Sequence, residues 1–140
     1  MTDRVFIDSN VWLYLFLQSD ARKSDIAQNF ISGNIGNHIF VTYQVINEVS
    51  NQLLKNGFGE KTVRDTVMFM HKICVVRNFS RDMVILASAI RENYKISFWD
   101  SMIVAAALIC DCNILASEDM QDGLKIENTT IKNVFKAMRR

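Results

Sequence analysis

Short runs of β-branched and aromatic residues recur between stretches of helix-like apolar periodicity along the whole chain, and this alternation constrains the fold most. Residues 4–8 (RVFID), 38–41 (HIFV), 74–77 (CVVR) and 113–116 (NILA) read as strands, with 113–116 the last clear one and 125–127 a weak edge strand. Helices are expected from about Asn10 through Phe16, then over about 21–32, 43–56, 60–72, 81–93 and 99–111. Asp20, Thr42 and Ser80 are the expected N-caps, and Gly33, Gly36 and Gly57 the expected stops. Strands separated by helices are joined by crossovers. The fold class is therefore α/β, with a mostly parallel sheet covered by helices on both faces. The length fits a single domain over residues 1–140. In such a sheet the functional crevice lies beyond the carboxyl ends of the strands, near a switch in strand order.

Composition narrows the function classes. With 49% hydrophobic and 22% charged residues, disorder is excluded. The longest apolar runs, 11–17 and 102–110, fall well below the roughly 18 residues that cross a bilayer. Asp3, Asp8 and Asn10 stand where a secretory signal would carry bases, so the expected location is the cytoplasm, with no membrane partner. Three cysteines, Cys74, Cys110 and Cys112, are an odd number that cannot complete an intramolecular disulfide framework, and the C-x-C pair lacks a second Cys/His pair for zinc. They read as buried thiols. Sixteen Lys and Arg against 15 Asp and Glu exclude nucleic-acid binding by net positive charge alone. They leave open a site where acids are concentrated locally.

Four acids fall at informative places. Asp8 ends the first strand, either as a cap for the helix that follows or as a side chain at the sheet's carboxyl edge. Asp100 opens the apolar helix and shares a face with Val104, Ala107 and Leu108. Flanked by Phe98, Trp99 and Met102, it is expected to point inward, where it requires a polar partner or a cation. Glu48 lies at the border of the stripe formed by Val45, Ile46, Val49 and Leu53, beside Gln44 and Gln52. Asp119 follows the strand 113–116 within SEDMQDG, a stretch that also reads as a turn. In a parallel sheet all four converge on one edge. Clustered carboxylates either rise in pKa or are neutralised by divalent cations, and oxygen-only ligation suits Mg²⁺ or Mn²⁺. Such a pocket suits in-line displacement at phosphorus in a phosphodiester.

The segments VFIDSNVWLY (5–14), INEVSNQLL (46–54), SFWDSMIVAAA (97–107) and ILASEDMQDG (114–123) together resemble the PIN domain family, and within it the VapC-type toxin ribonucleases. The stretch KIENTTIKNVF resembles that family's last strand and tail. The resemblance implies a three-layer PIN-like sandwich and a metal-dependent endoribonuclease. It further implies homodimerisation and a small antitoxin partner of a type II toxin–antitoxin system. Carried onto matching positions, it gives Asp8, Glu48, Asp100 and Asp119 as catalytic, metal-ligating acids. Asn10 corresponds to the asparagine that orients the first acid, and Ser117 to the hydroxyl residue two positions before the last. Ser9 replaces the commoner threonine. Glu118 stands where asparagine is usual and Asp122 adds an acid, so both are alternatives to Asp119 at the last position.

Candidate RNA contacts are Lys55, Lys61, Arg64 and Lys72 on the middle helices and Lys132, Lys136, Arg139 and Arg140 near the end. Trp12, Tyr14 and Phe16 read as helix core or dimer contact rather than base-stacking residues, and Met68, Phe69, Met70 and Met83 as packing. The rival readings are a catalytically silent PIN-fold binding module and a housekeeping PIN nuclease. A haloacid-dehalogenase-type phosphatase fails because Asn10 replaces its second aspartate. A receiver domain fails because Asp100 begins a helix.

Overall fold

A computed structural model describes residues 3–136. The expected alternation appears as β1 (Arg4–Ile7), α1 (Ser9–Leu17), α2 (Ala21–Asn34), β2 (His38–Thr42), α3 (Tyr43–Lys55) and α4 (Glu60–Ile73). It continues through β3 (Val75–Arg77), α5 (Arg81–Asn93), α6 (Phe98–Ile109), β4 (Ile114–Ala116), β5 (Lys125–Ile126) and β6 (Thr129–Lys132). The strands form one sheet in the order β3-β2-β1-β4-β6-β5. Every neighbouring pair is parallel except the closing β5–β6 hairpin.

The order explains the layers. Two crossovers step in one direction from β1 to β2 and on to β3, and the third returns to the other side of β1. Right-handed connections then put α1–α4 over one face and α5–α6 over the other. The contacts agree, α1 packing on α2 and α3, α3 on α4, and α5 on α6. The strand order reverses between β1 and β4, so the crevice opens at their carboxyl ends.

Local chemistry accounts for these elements. Val5, Phe6 and Ile7 are all fully buried, as a central parallel strand covered on both faces requires. In α3 the stripe Val45, Ile46, Val49 and Leu53 is buried, and Gly57 takes a left-handed φ of 87° just past the helix end. In α6 every residue from Met102 to Ala107 is buried, the three alanines allowing close approach to the sheet. Trp12 is fully buried, donates from Nε1 to the Ile7 carbonyl at 3.1 Å and stacks on Phe16, so of the aromatic run Trp12 is core and Tyr14 and Phe16 pack partly buried against it. Cys110 and Cys112 are buried, and burial pushes the Cys74 and Cys112 thiols up to about 12, which leaves them unreactive. No helix among the described residues is long and apolar enough to cross a membrane.

Several expectations change. Residues 113–116 are not the last full strand, because 129–132 form β6 beside β4, and the edge strand at 125–127 shortens to Lys125–Ile126 and turns back through Glu127 at φ 52°. Gly33 lies inside α2, which runs on to Asn34. Asp20 and Ser80 cap through their side chains, but Thr42 makes no cap bond and its buried Oγ1 has no partner. Of the residues flanking Asp100, Phe98 and Trp99 are exposed and Met102 is buried. Met70 and Met83 are core as expected, whereas Met68 and Phe69 face solvent. Arg139 and Arg140 lie outside the described residues.

Candidate functional site

Strand register fixes the centre of the site. Ile7 pairs with Ala116, so the next residue on each strand, Asp8 and Ser117, meet just past the sheet edge. The Asp8 amide donates to the Ala116 carbonyl at 2.9 Å. One Asp8 carboxyl oxygen accepts from the Ser9 amide at 2.8 Å, capping α1, and the other accepts from Ser117 Oγ at 3.0 Å. Capping and site placement therefore coexist in one side chain. Asp8 is only 6% exposed.

The other three acids surround it from separate elements. Glu48 reaches the edge from the second turn of α3, at its solvent rim, and accepts from Ser9 Oγ at 3.3 Å. Asp100 sits in the first turn of α6, where the helix dipole favours an anion. The capping task there falls to Ser97, whose Oγ accepts from the Asp100 amide at 3.3 Å, so the Asp100 carboxylate is free for the crevice. Asp119 follows β4 and accepts from Asn10 Nδ2 at 3.1 Å, while Asn10 Oδ1 accepts from the Glu118 amide. Asn10 thus holds the loop of the fourth acid rather than Asp8. Asp100 and Asp119 line a common groove of about 200 Å³ with Lys95 and Ser97.

Electrostatics registers the convergence. Burial pushes the Asp8 carboxyl up to about 7, and the nearby charges of Glu48 and Asp100 add to the rise against the hydrogen bonds from Ser9 and Ser117. Desolvation likewise raises Glu48; hydrogen bonds from Gln44 and Ser9 oppose it, and Asp100 and Asp119 reinforce it. Among the described residues, none of the four carboxylates has a Lys or Arg within ion-pair distance. As they stand, no three His, Cys, Asp or Glu side chains among those residues form a ready-made metal cage. The donor set nonetheless fits a hard divalent cation, being all oxygen, partly desolvated and without a positive partner.

The two alternative acids differ. Glu118 pairs with Lys23 Nζ and accepts from Tyr14 Oη at 2.8 Å, on the side of α1 and α2. Asp122 accepts from the Asn133 amide at 2.7 Å and lies 3.6 Å from Lys136 Nζ. Both carry their own lysine. Sequence reasoning missed three contributors: the Ser9 hydroxyl on Glu48, Lys95 in the groove, and Lys23 with Tyr14 on Glu118. The first was hinted at by the hydroxyl beside Asp8, the second by a base two residues before the Ser97 cap; the third joins distant parts of the chain.

The PIN domain family profile matches residues 5–123. Among solved structures, a toxin–antitoxin complex from Klebsiella pneumoniae is similar with a TM-score of 0.72 at 19% identity, over 95% of this chain and 99% of that one. The sarcin–ricin-loop-cleaving toxin VapC20 of Mycobacterium tuberculosis gives 0.66 at 17% identity, over 79% of this chain and 86% of its own. VapBC2 of Rickettsia felis, bound to a DNA fragment from its promoter, gives 0.67 at 13% identity, over 91% and 96%. Identities this low establish the shared fold. No curated protein matches the chain.

Proposed function

The chain belongs to the PIN domain family, and from that premise we propose that it is a metal-dependent endoribonuclease, the toxin of a type II toxin–antitoxin pair, built as a single such domain over residues 1–140. The observation that carries the reading is the gathering of Asp8, Glu48, Asp100 and Asp119 at the strand-order switch, with no Lys or Arg among the described residues within ion-pair distance of any of them. Mg²⁺ or Mn²⁺ is the cofactor, held by those four acids. When bound, it supplies Lewis acidity toward the phosphate and lowers the pKa of water.

The protein's own part is positioning. Ser117 and the Ser9 amide fix both oxygens of Asp8, Ser9 Oγ turns Glu48 toward it, and Asn10 holds Asp119. Lys95 stands beside Asp100 and Asp119 to meet the phosphate of the RNA. Glu118 and Asp122, each held by a lysine, support the loop instead of ligating. The likeness to toxin–antitoxin complexes supports an antitoxin partner, and the family resemblance supports a homodimer. The free thiols suit a reducing cytoplasm.

Cleavage of a labelled single-stranded RNA tests the reading. Asp8→Asn and Asp100→Asn are expected to cut at least about 1000-fold more slowly, with unchanged circular dichroism. Full activity in both purified variants would sink the site assignment. A short neighbouring reading frame encoding a DNA-binding protein is the expected genomic context of a toxin, and its absence favours a housekeeping nuclease.

A further inference from the structure

Beside the acids lies a second cleft, larger than the groove of Asp100 and Asp119 and sharing only Glu48 with the proposed metal site. It measures about 710 Å³ and is bounded by the first turns of α3, the loop between β3 and α5, and the start of α6. Among the described residues Glu48 is its only charged lining residue, which joins it to the acid site. The rest of the lining is of two kinds: the aromatic rings of Tyr43, Phe79 and Trp99, and the carboxamides of Gln44, Asn47, Asn51 and Asn78. Among the described residues no aliphatic side chain lines it.

We propose that this cleft is a nucleobase subsite, which seats an unpaired base of the RNA next to the scissile phosphate and gives the enzyme its sequence preference. The inference rests on the ribonuclease reading above and specifies its substrate as single-stranded at that nucleotide. Aromatic faces stack on bases of any identity, and carboxamides pair with base edges through a donor and an acceptor held side by side. A cleft for a phosphate would carry bases, and a groove for an apolar peptide would carry aliphatic side chains. This one has neither.

The rings are held in place. Trp99 is 60% exposed, yet its ring meets Phe98 edge-on at 5.0 Å, and Phe98 lies under the Arg91 guanidinium at 4.7 Å. Arg91 is fixed in turn by a 2.7 Å bond to Ser101 Oγ. His71 donates from Nδ1 to the Val67 carbonyl at 2.8 Å, leaving Nε2 to accept from Tyr43 Oη at 3.1 Å. Asn78 Oδ1 accepts from the Phe79 amide at 3.0 Å, which leaves its NH₂ as a donor. Asn47 and Asn51 have no side-chain partner among the described residues. A preorganised stacking surface with unused carboxamides binds a base at little ordering cost.

Tryptophan fluorescence reads the subsite without turnover. Trp12 is fully buried and serves as the constant, so quenching reports Trp99. In EDTA, short single-stranded RNA is expected to quench the wild-type protein and leave Trp99→Phe less affected. An abasic oligonucleotide of the same length and charge is expected to bind about 10-fold more weakly. With metal present, Trp99→Ala is expected to raise KM about 10-fold while leaving kcat near wild type, and Asn47→Ala or Asn51→Ala to change the preference among bases. Equal binding of the abasic oligonucleotide overturns the proposal, as does quenching by peptides but not by RNA. Quenching by RNA without hydrolysis keeps the subsite and removes the ribonuclease reading; hydrolysis without quenching removes the subsite alone.

Discussion

At the amino edge of the sheet the polar groups close on one another. Asp3 accepts from Asn113 Nδ2 at 3.0 Å, Asn113 Oδ1 accepts from the Arg4 amide, and the Arg4 guanidinium donates twice to the Cys110 carbonyl at 2.7 and 3.0 Å. At the carboxyl edge, joined to it by the same β1, the acids have only neutral donors: two serine hydroxyls, carboxamides and an amide. One edge carries its own base. The other concentrates negative charge with no direct ion pair among the described residues, which destabilises the fold unless a cation arrives. On the function proposed above, the carboxyl edge serves a ligand and the amino edge serves stability.

The largest expected effect is on stability against pH. The Asp8 pKa rises from 3.8 unfolded to about 7 folded, so between these values the native state holds a proton that the unfolded chain has released. Stability therefore falls as pH rises from about 4 to about 7 and levels off above, by on the order of 4 kcal/mol at most. Glu48, also raised, acts in the same direction. Urea unfolding in EDTA at pH 5 and pH 8 checks this. Asp8→Asn is expected to remove most of the difference, and Mg²⁺ or Mn²⁺ to restore stability at pH 8. An unchanged slope in Asp8→Asn breaks the contrast between the edges.

Next in size is the contrast between Glu118 and Asp119, adjacent in sequence but opposite in surroundings. Asp119→Asn is expected to slow cleavage by about 100-fold, and Glu118→Gln by no more than about twofold. Glu118→Gln is expected instead to lower Tm, because the carboxamide offers Lys23 and Tyr14 one acceptor oxygen in place of two and no charge for the ammonium. Cleavage rates and thermal melts of the two variants decide between them. The reverse pattern moves the fourth acid to Glu118.

Which parts of this were legible in the sequence follows the range of the interactions. β1, the caps at Asp20 and Ser80, and the stripe of α3 rest on neighbours within a turn or a strand, and periodicity found them. The places of Asp8 and Asp100 followed from element ends, whereas Glu48 and Asp119 were weak individually and gained from the family resemblance. β6 escaped local periodicity because TTIK is half polar, and only the family resemblance of KIENTTIKNVF pointed to a last strand there; it is a strand through pairing with β4 and the bond from Thr129 Oγ1 to the Cys112 carbonyl at 2.6 Å. Whether Glu118 or Asp119 faces the crevice depends on Lys23, far away in the chain, which no local pattern encodes.

The smallest expected effect lies at the amino edge and tests its independence. Arg4→Ala removes both bonds to the Cys110 carbonyl and the guanidinium placed 4.6 Å over the Phe40 ring. The loss is expected to be about 2 kcal/mol of stability, read by urea unfolding, since a buried carbonyl forfeits its donors. Arg4→Lys is expected to recover part of it, because an ammonium keeps the charge but not the paired donors. Arg4 stands roughly 13 Å along β1 from Asp8, a distance over which salt screens its charge. Cleavage by both variants is therefore expected to match wild type below the melting range. A fall in kcat there shows that β1 transmits strain from one edge to the other, and the division between a structural edge and a catalytic one then fails.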